Sequence, residues 1–142
     1  MDHVAIMKKS WGLIPKILVG EKTIESRWYQ TRRTPWDKAQ AGDVIYFKNS
    51  GELVTARAVV SEVLQFQIDN RDELRRLVRK YGREICLVNP DVDTWVKLPK
   101  YCVLLRLRAP RKLKTPFRIN KRGYGISAAW ITVDNISRLV VK

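Results

Sequence analysis

Between residues 13 and 29 the hydrophobic period of the chain changes once, and it changes at a glycine. Ile14, Ile17 and Leu18 fall on one face of a short helix, and Pro15 sits in its first turn, where a proline neither clashes nor removes a needed hydrogen bond. Gly20 follows, the residue best able to take the left-handed conformation that closes such a helix. From Thr23 the pattern alternates with period two. Ile24, Ser26 and Trp28 share one side of a strand, and Thr23, Glu25, Arg27 and Tyr29 share the other. Ile24 and Trp28 supply a core face, so Glu25 and Arg27 occupy the opposite face, with Lys22 at its mouth. One reading of these charges is a solvated ion-pair ladder, which is common and weak.

A chain of 142 residues, 45% hydrophobic, fits one domain spanning 1–142 and can bury a core without staples. Its formal net charge of +14 points to a polyanion, nucleic acid ahead of an anionic membrane surface, unless the charge serves only solubility. Cys86 and Cys102 form no CxxC pattern, so neither a zinc site nor a disulfide framework is expected. No metal or cofactor is implied, and a reducing cytoplasm is the simplest setting. No charged-then-apolar leader and no apolar run near ~20 residues occurs, which predicts a soluble protein. His3 is the single histidine and lies at an end expected to fray, which deprives a Ser-His-Asp or Cys-His mechanism of its usual base.

Along the chain, residues 3–8 read as a strand, Ser10 as a cap for the helix that follows, and 30–41 as a polar loop holding Arg32, Arg33, Pro35 and Trp36. Strands are expected over 43–48 and 54–66, joined at Asn49-Ser50-Gly51. Asn70-Arg71-Asp72-Glu73 has the form of a capping box, and Leu74, Leu77, Val78 and Tyr81 recur at helical spacing, predicting a helix over 70–81 that stops at Gly82. Its Arg75, Arg76, Arg79 and Lys80 read as a solvated face. Residues 83–99 are irregular, with a break at Asn89-Pro90. Two strands are expected over 101–108 and 112–120, and a last one within 127–133 after a Gly123-Tyr124-Gly125 turn. No acidic residue occurs between Asp93 and Asp134, so the basic residues of 97–122, among them Arg118, Lys121 and Arg122, form a cationic strip.

Gly20-x-Lys22-x-x-Glu25-x-Arg27 reproduces without a gap the GxKxxExR signature of the ASCH domain family, which is similar to PUA domains. Lys8-Lys9-Ser10-Trp11, the helix before Gly20, Trp28-Tyr29 and residues 42–51 also resemble the family, in order. The resemblance covers residues 4–66 well and the remainder more loosely. It implies an α+β fold, a PUA-like small mixed β-barrel of about five or six strands with two or three helices, and motif residues lining a cleft beside it. It also implies RNA or modified nucleotides as ligands. Lys22 would then meet phosphate or a base carbonyl, Glu25 would accept from an exocyclic amine, and Arg27 would orient Glu25 or contact phosphate.

Around that core the binding candidates are Lys9, Ser10, Trp11, Tyr29, Arg33, Trp36, Lys48, Arg118, Lys121 and Arg122, with Arg32 beside them. Cations neutralise phosphates and exposed aromatics stack on unpaired bases. Trp28, by strand parity, and Trp130, inside an apolar run, read as core, whereas Trp11 and Trp36 are the stacking candidates. One branch of the family resembles an amidohydrolase that deacetylates N4-acetylcytidine with a lysine, a threonine and a glutamate. Its lysine matches Lys22. Its threonine place is held by Glu25, with Thr23 nearby, and its glutamate falls near Glu84 by order alone. An RNA- or nucleotide-binding module is thus the first reading. A small metal-independent hydrolase using Lys22 and Glu25, on an acylated nucleoside or on RNA, is the second, and a regulatory module for a protein partner the third.

Overall fold

The computed structural model describes residues 1–125 and 127–141. Six strands, β1 (Asp2–Met7), β2 (Ile24–Tyr29), β3 (Val44–Asn49), β4 (Val54–Gln67), β5 (Tyr101–Phe117) and β6 (Trp130–Val133), form one mixed sheet in the order β2-β5-β4-β3-β1-β6. The β1–β3 pair is parallel and the others are antiparallel. The sheet curls into a half-barrel, accompanied by helices α1 (Leu13–Leu18) and α2 (Arg71–Ile85), which makes it a small α+β barrel of PUA-like form.

Alternation along each strand divides the core. Ala5 and Met7 of β1, Ile45 and Phe47 of β3, Ala56, Ala58 and Val60 of β4, and Val103 and Leu105 of β5 make one cluster, on which α1 packs. The alanines on this inner face leave room for the sheet to curl. The opposite face is shared. Near β2 and β5, Ile24, Cys102 and Leu104 are covered by Leu74, Val78, Tyr81 and Ile85 of α2. Near β1 and β3, Val4 and Tyr46 pack with Ile119, Ile131 and Leu139 from the C-terminal third.

Four local expectations change. Asn70 caps α2, its Oδ1 accepting from the Glu73 N–H at 2.9 Å, but the helix passes Gly82 and runs to Ile85. Gly82 is buried within the helix, and Cys86, at φ 56°, takes the left-handed cap position instead. The two strands expected around Arg108 are one. Ala109 (φ 51°) and Pro110 stand between the Arg108–Val59 and Arg111–Arg57 pairs, a bulge that accommodates a proline with no N–H to give. Ser10 lies in the short helical turn Lys9–Trp11 and caps nothing; Gly12, at φ 63°, precedes α1.

The fourth concerns His3, which is not a frayed end but 0% exposed. Its Nδ1 faces two groups that donate, Trp130 Nε1–H at 3.2 Å and the Thr132 hydroxyl at 2.8 Å, so Nδ1 is the acceptor and Nε2–H donates to Asp43 Oδ2 at 2.8 Å. The neutral ring thus ties β1 to β6 and to the turn before β3. Burial holds His3 below its ordinary value of 6.5, against the pull of Asp43. Asp43 would be raised by burial, but hydrogen bonds from His3 and the Gln40 N–H bring its carboxyl below its usual range. Between the folded and unfolded values of His3 the unfolded chain binds the extra proton, so stability falls as pH drops through 6.5. Urea unfolding between pH 7.5 and 5 should show this loss, up to about 1.4 kcal/mol per pH unit at its steepest. The His3→Gln variant should be flat from pH 7 to 5.5, because no other histidine is present.

Candidate functional site

Lys22 is where three elements meet. Its backbone N–H and that of Glu21 donate to Lys16 O at the end of α1, and Gly20 makes the turn at φ 78°. The side chain does not sit at a mouth but is 2% exposed. Its ammonium donates to Ile24 O at 2.7 Å and to Ile85 O at 2.5 Å, the latter an otherwise orphaned carbonyl of the last residue of α2. A cation at a helix C-terminus is also favoured by the helix dipole. Burial lowers the Lys22 amine from its ordinary value, while Glu25 opposes the shift.

Glu25, 3% exposed, and Arg27 pair in register with Leu105 and Val103, so both point to the inner face of the curl, as strand parity requires. Glu25 Oε1 accepts from the Ser26 N–H at 2.9 Å and lies 3.9 Å from Lys22 Nζ. Its Oε2 is buried without a partner, and so is Arg27 Nε. The Arg27 guanidinium stretches across the open side of the half-barrel. One terminal nitrogen donates to Ala129 O at 3.2 Å, the other approaches Ile6 O at 3.5 Å, and the group lies 5.0 Å over the Trp130 ring.

Above this floor opens a cleft of about 430 Å³ between β2, β1 and the segment after α2. Lys22, Glu25, Arg27 and Tyr29 line it together with Trp11, Trp28 and Trp95. Trp11 is 47% exposed and free to stack. Trp28, expected in the core, packs partly on the α2 side but also lines the cleft; its indole donates to Ser26 Oγ at 2.9 Å and meets Trp95 edge-on at 5.5 Å. Trp95 and the wall from Cys86 to Asn89 come from a stretch with no sequence period, so spacing alone does not bring them to the cleft. Burial pushes the Tyr29 phenol up, and its hydroxyl donates to Thr34 O at 3.0 Å.

The remaining candidates lie elsewhere. Trp36 packs half-buried against Tyr101, 5.1 Å between rings, with Arg32 over both, so it is not in the cleft. Lys9 pairs with Glu52 at 2.6 Å, and Ser10 is exposed beside it. Thr23 and Glu84 face each other at 3.4 Å, and Glu84 pairs with Arg106 at 2.7 Å, outside the cleft lining. Lys48 and Arg118 line a separate hollow with Glu52, and Lys121 and Arg122 are likewise absent from the cleft wall. Arg33 lies 5.7 Å over the Tyr29 ring, in a second hollow next to the cleft. No residue of the cationic strip of 97–122 lines the cleft, whose cations are Lys22 and Arg27.

Neither models of protein families nor curated proteins match the sequence. Solved structures do. The crystal structure of an ASCH protein from Zymomonas mobilis aligns with TM-score 0.56 at 20% identity, covering 82% of this chain and 71% of that one. A serine-to-alanine variant of that protein aligns at TM-score 0.64 and 19% identity over 93% of this chain and 87% of its own. The fold is ASCH-like. At 19–20% identity the likeness concerns architecture. Within this ASCH-like fold, the cleft lies at segment 20–27. Among the described residues no helix is long and apolar enough to cross a membrane, and no group of three His, Cys, Asp or Glu could hold a metal ion.

Removing the Lys22 charge leaves two buried carbonyls and a buried carboxylate uncompensated. Lys22→Met should cost about 3–5 kcal/mol in urea unfolding, and the Lys22→Met/Glu25→Gln pair should cost less than the sum of its parts, because the two groups share one interaction.

Proposed function

We propose that the cleft binds a nucleobase of single-stranded RNA or of a modified nucleotide. The observation that carries this is that Glu25 and Arg27 both line an aromatic slot and each keeps a buried polar atom without a partner, Glu25 Oε2, an acceptor, and Arg27 Nε, a donor. Leaving such groups unsatisfied costs about 1–3 kcal/mol each, so a ligand whose flat edge presents a donor and an acceptor, and toward which the two side chains turn, recovers part of that energy. A nucleobase has such an edge, and its faces suit Trp11. The net charge of +14 favours a polyanionic ligand in general.

Fluorescence anisotropy with homopolymeric RNA hexamers tests this. One of the four should bind best. Trp11→Ala should weaken it about 5- to 150-fold, the equivalent of ~1–3 kcal/mol of stacking. Glu25→Gln, which keeps the shape but turns one acceptor into a donor, should erase the preference among the four. Equal binding of all four hexamers by wild type and by both folded variants would sink the reading.

A hydrolytic reading rests on Lys22. A neutral amine would keep both of its carbonyl bonds and direct a lone pair along its remaining tetrahedral position, and burial already favours the neutral form. Against it, the family threonine is replaced by Glu25, and Thr23 turns to Glu84. The binding reading expects no acetate release from N4-acetylcytidine above the buffer rate, followed by chromatography. Turnover that vanishes in Glu25→Gln would move the site to hydrolysis.

A further inference from the structure

Next to the cleft lies a second hollow of about 380 Å³, lined by Tyr29, Arg32, Arg33, Tyr124 and Trp130 among others. Both volumes fall in the roughly 300–1,000 Å³ range of small-ligand sites. Tyr29 lines both spaces, and Arg27, bonded to Ala129 O on the hollow's wall, runs between them. The two differ in charge. The cleft contains the Glu25 carboxylate, whereas among the described residues no carboxylate lines the hollow.

Arg32 and Arg33 are also unlike many other cations of this chain. Lys9, Arg75, Arg106 and Arg138 each pair with an acidic side chain. No ion pair of Arg32 or Arg33 occurs among the described residues; each is held against aromatic rings, Arg32 over Trp36 and Tyr101 and Arg33 over Tyr29. A guanidinium fixed by a ring keeps its N–H fork free, and that fork matches phosphate oxygens. Tyr124, 44% exposed on the same rim, offers a face to a further base.

We infer that the hollow is a phosphate and second-nucleotide subsite, so that the ligand is an oligonucleotide and not a free nucleoside. This rests on the base-binding reading of the cleft. The base enters between Trp11 and the Glu25–Arg27 pair, its backbone crosses the Arg27 bar, and the adjoining phosphate meets Arg32 and Arg33. A nucleoside fills only the first space.

The test compares the best-bound RNA hexamer with its own nucleoside, by anisotropy and calorimetry, in wild type, Arg32→Ala/Arg33→Ala, Tyr124→Ala and Trp11→Ala. Wild type should bind the hexamer at least about tenfold more tightly than the nucleoside. The double arginine variant should lose most of that margin, leave nucleoside affinity unchanged, and reduce the salt slope by about 0.7–1.4 log units, one or two phosphate contacts. Tyr124→Ala should weaken the hexamer alone. Trp11→Ala should weaken both ligands. If the hexamer keeps its margin and salt slope in the arginine variant while Trp11→Ala still weakens both ligands, the subsite is wrong and the cleft reading stands. If Trp11→Ala changes neither ligand, the cleft reading fails and the subsite with it.

Discussion

Everything near the cleft depends on one buried ammonium group. Lys22 ties the first residue of β2 to the last residue of α2 through two backbone carbonyls, while its own backbone is bonded to the end of α1. A lysine is buried at a cost unless its charge is compensated, and here two carbonyls accept its protons while the Glu25 carboxylate, 3.9 Å away, offsets its charge. The same interaction fixes where Glu25 stands, because the strand that carries Glu25 starts two residues later. Lys22 is thus a joint between elements.

The second constraint is an incomplete closure. In the sheet order β2 and β6 are the free edges, and Arg27 reaches from β2 to carbonyls beside β6 and on β1. A side chain does there what a strand ladder does elsewhere in a barrel, but it leaves space on either side of itself. Both the cleft and the hollow occupy that space. Site and architecture have the same origin, since a fully paired barrel would have covered Glu25 and Arg27 with backbone.

Legibility followed the range of the interactions. Period-two alternation put Glu25 and Arg27 on one face and Ile24 on the other, and the Asn70 cap marked the start of α2, because both depend on neighbours a few residues apart. The end of α2 is not legible locally: Gly82 has the composition of a stop, but the helix runs on to Ile85 and closes at Cys86 in the left-handed conformation. His3 was misread for a related reason. Its position near the start of the chain suggests fraying, yet β6 and Asp43, both distant in sequence, bury it. Trp28 packs on the α2 side as strand parity requires but also lines the cleft, because parity does not report that β2 is an edge, and Trp36 lies outside the cleft because its polar loop folds onto Tyr101.

By itself the sequence determined the alternating strand with its shared Glu25–Arg27 face, the helix before Gly20, the capped start of α2 and the excess of positive charge. Local periodicity, capping chemistry and composition are properties of adjacent residues, and no partner is needed to see them. Only the tertiary structure decided which charges meet. It buried Lys22 under α2, sent Lys48 and Arg118 to another hollow, paired Glu84 with Arg106, and left Arg32 and Arg33 facing a cavity with no carboxylate in its lining among the described residues. Those outcomes depend on the curl of the sheet and on contacts between residues tens of positions apart, which no local pattern encodes.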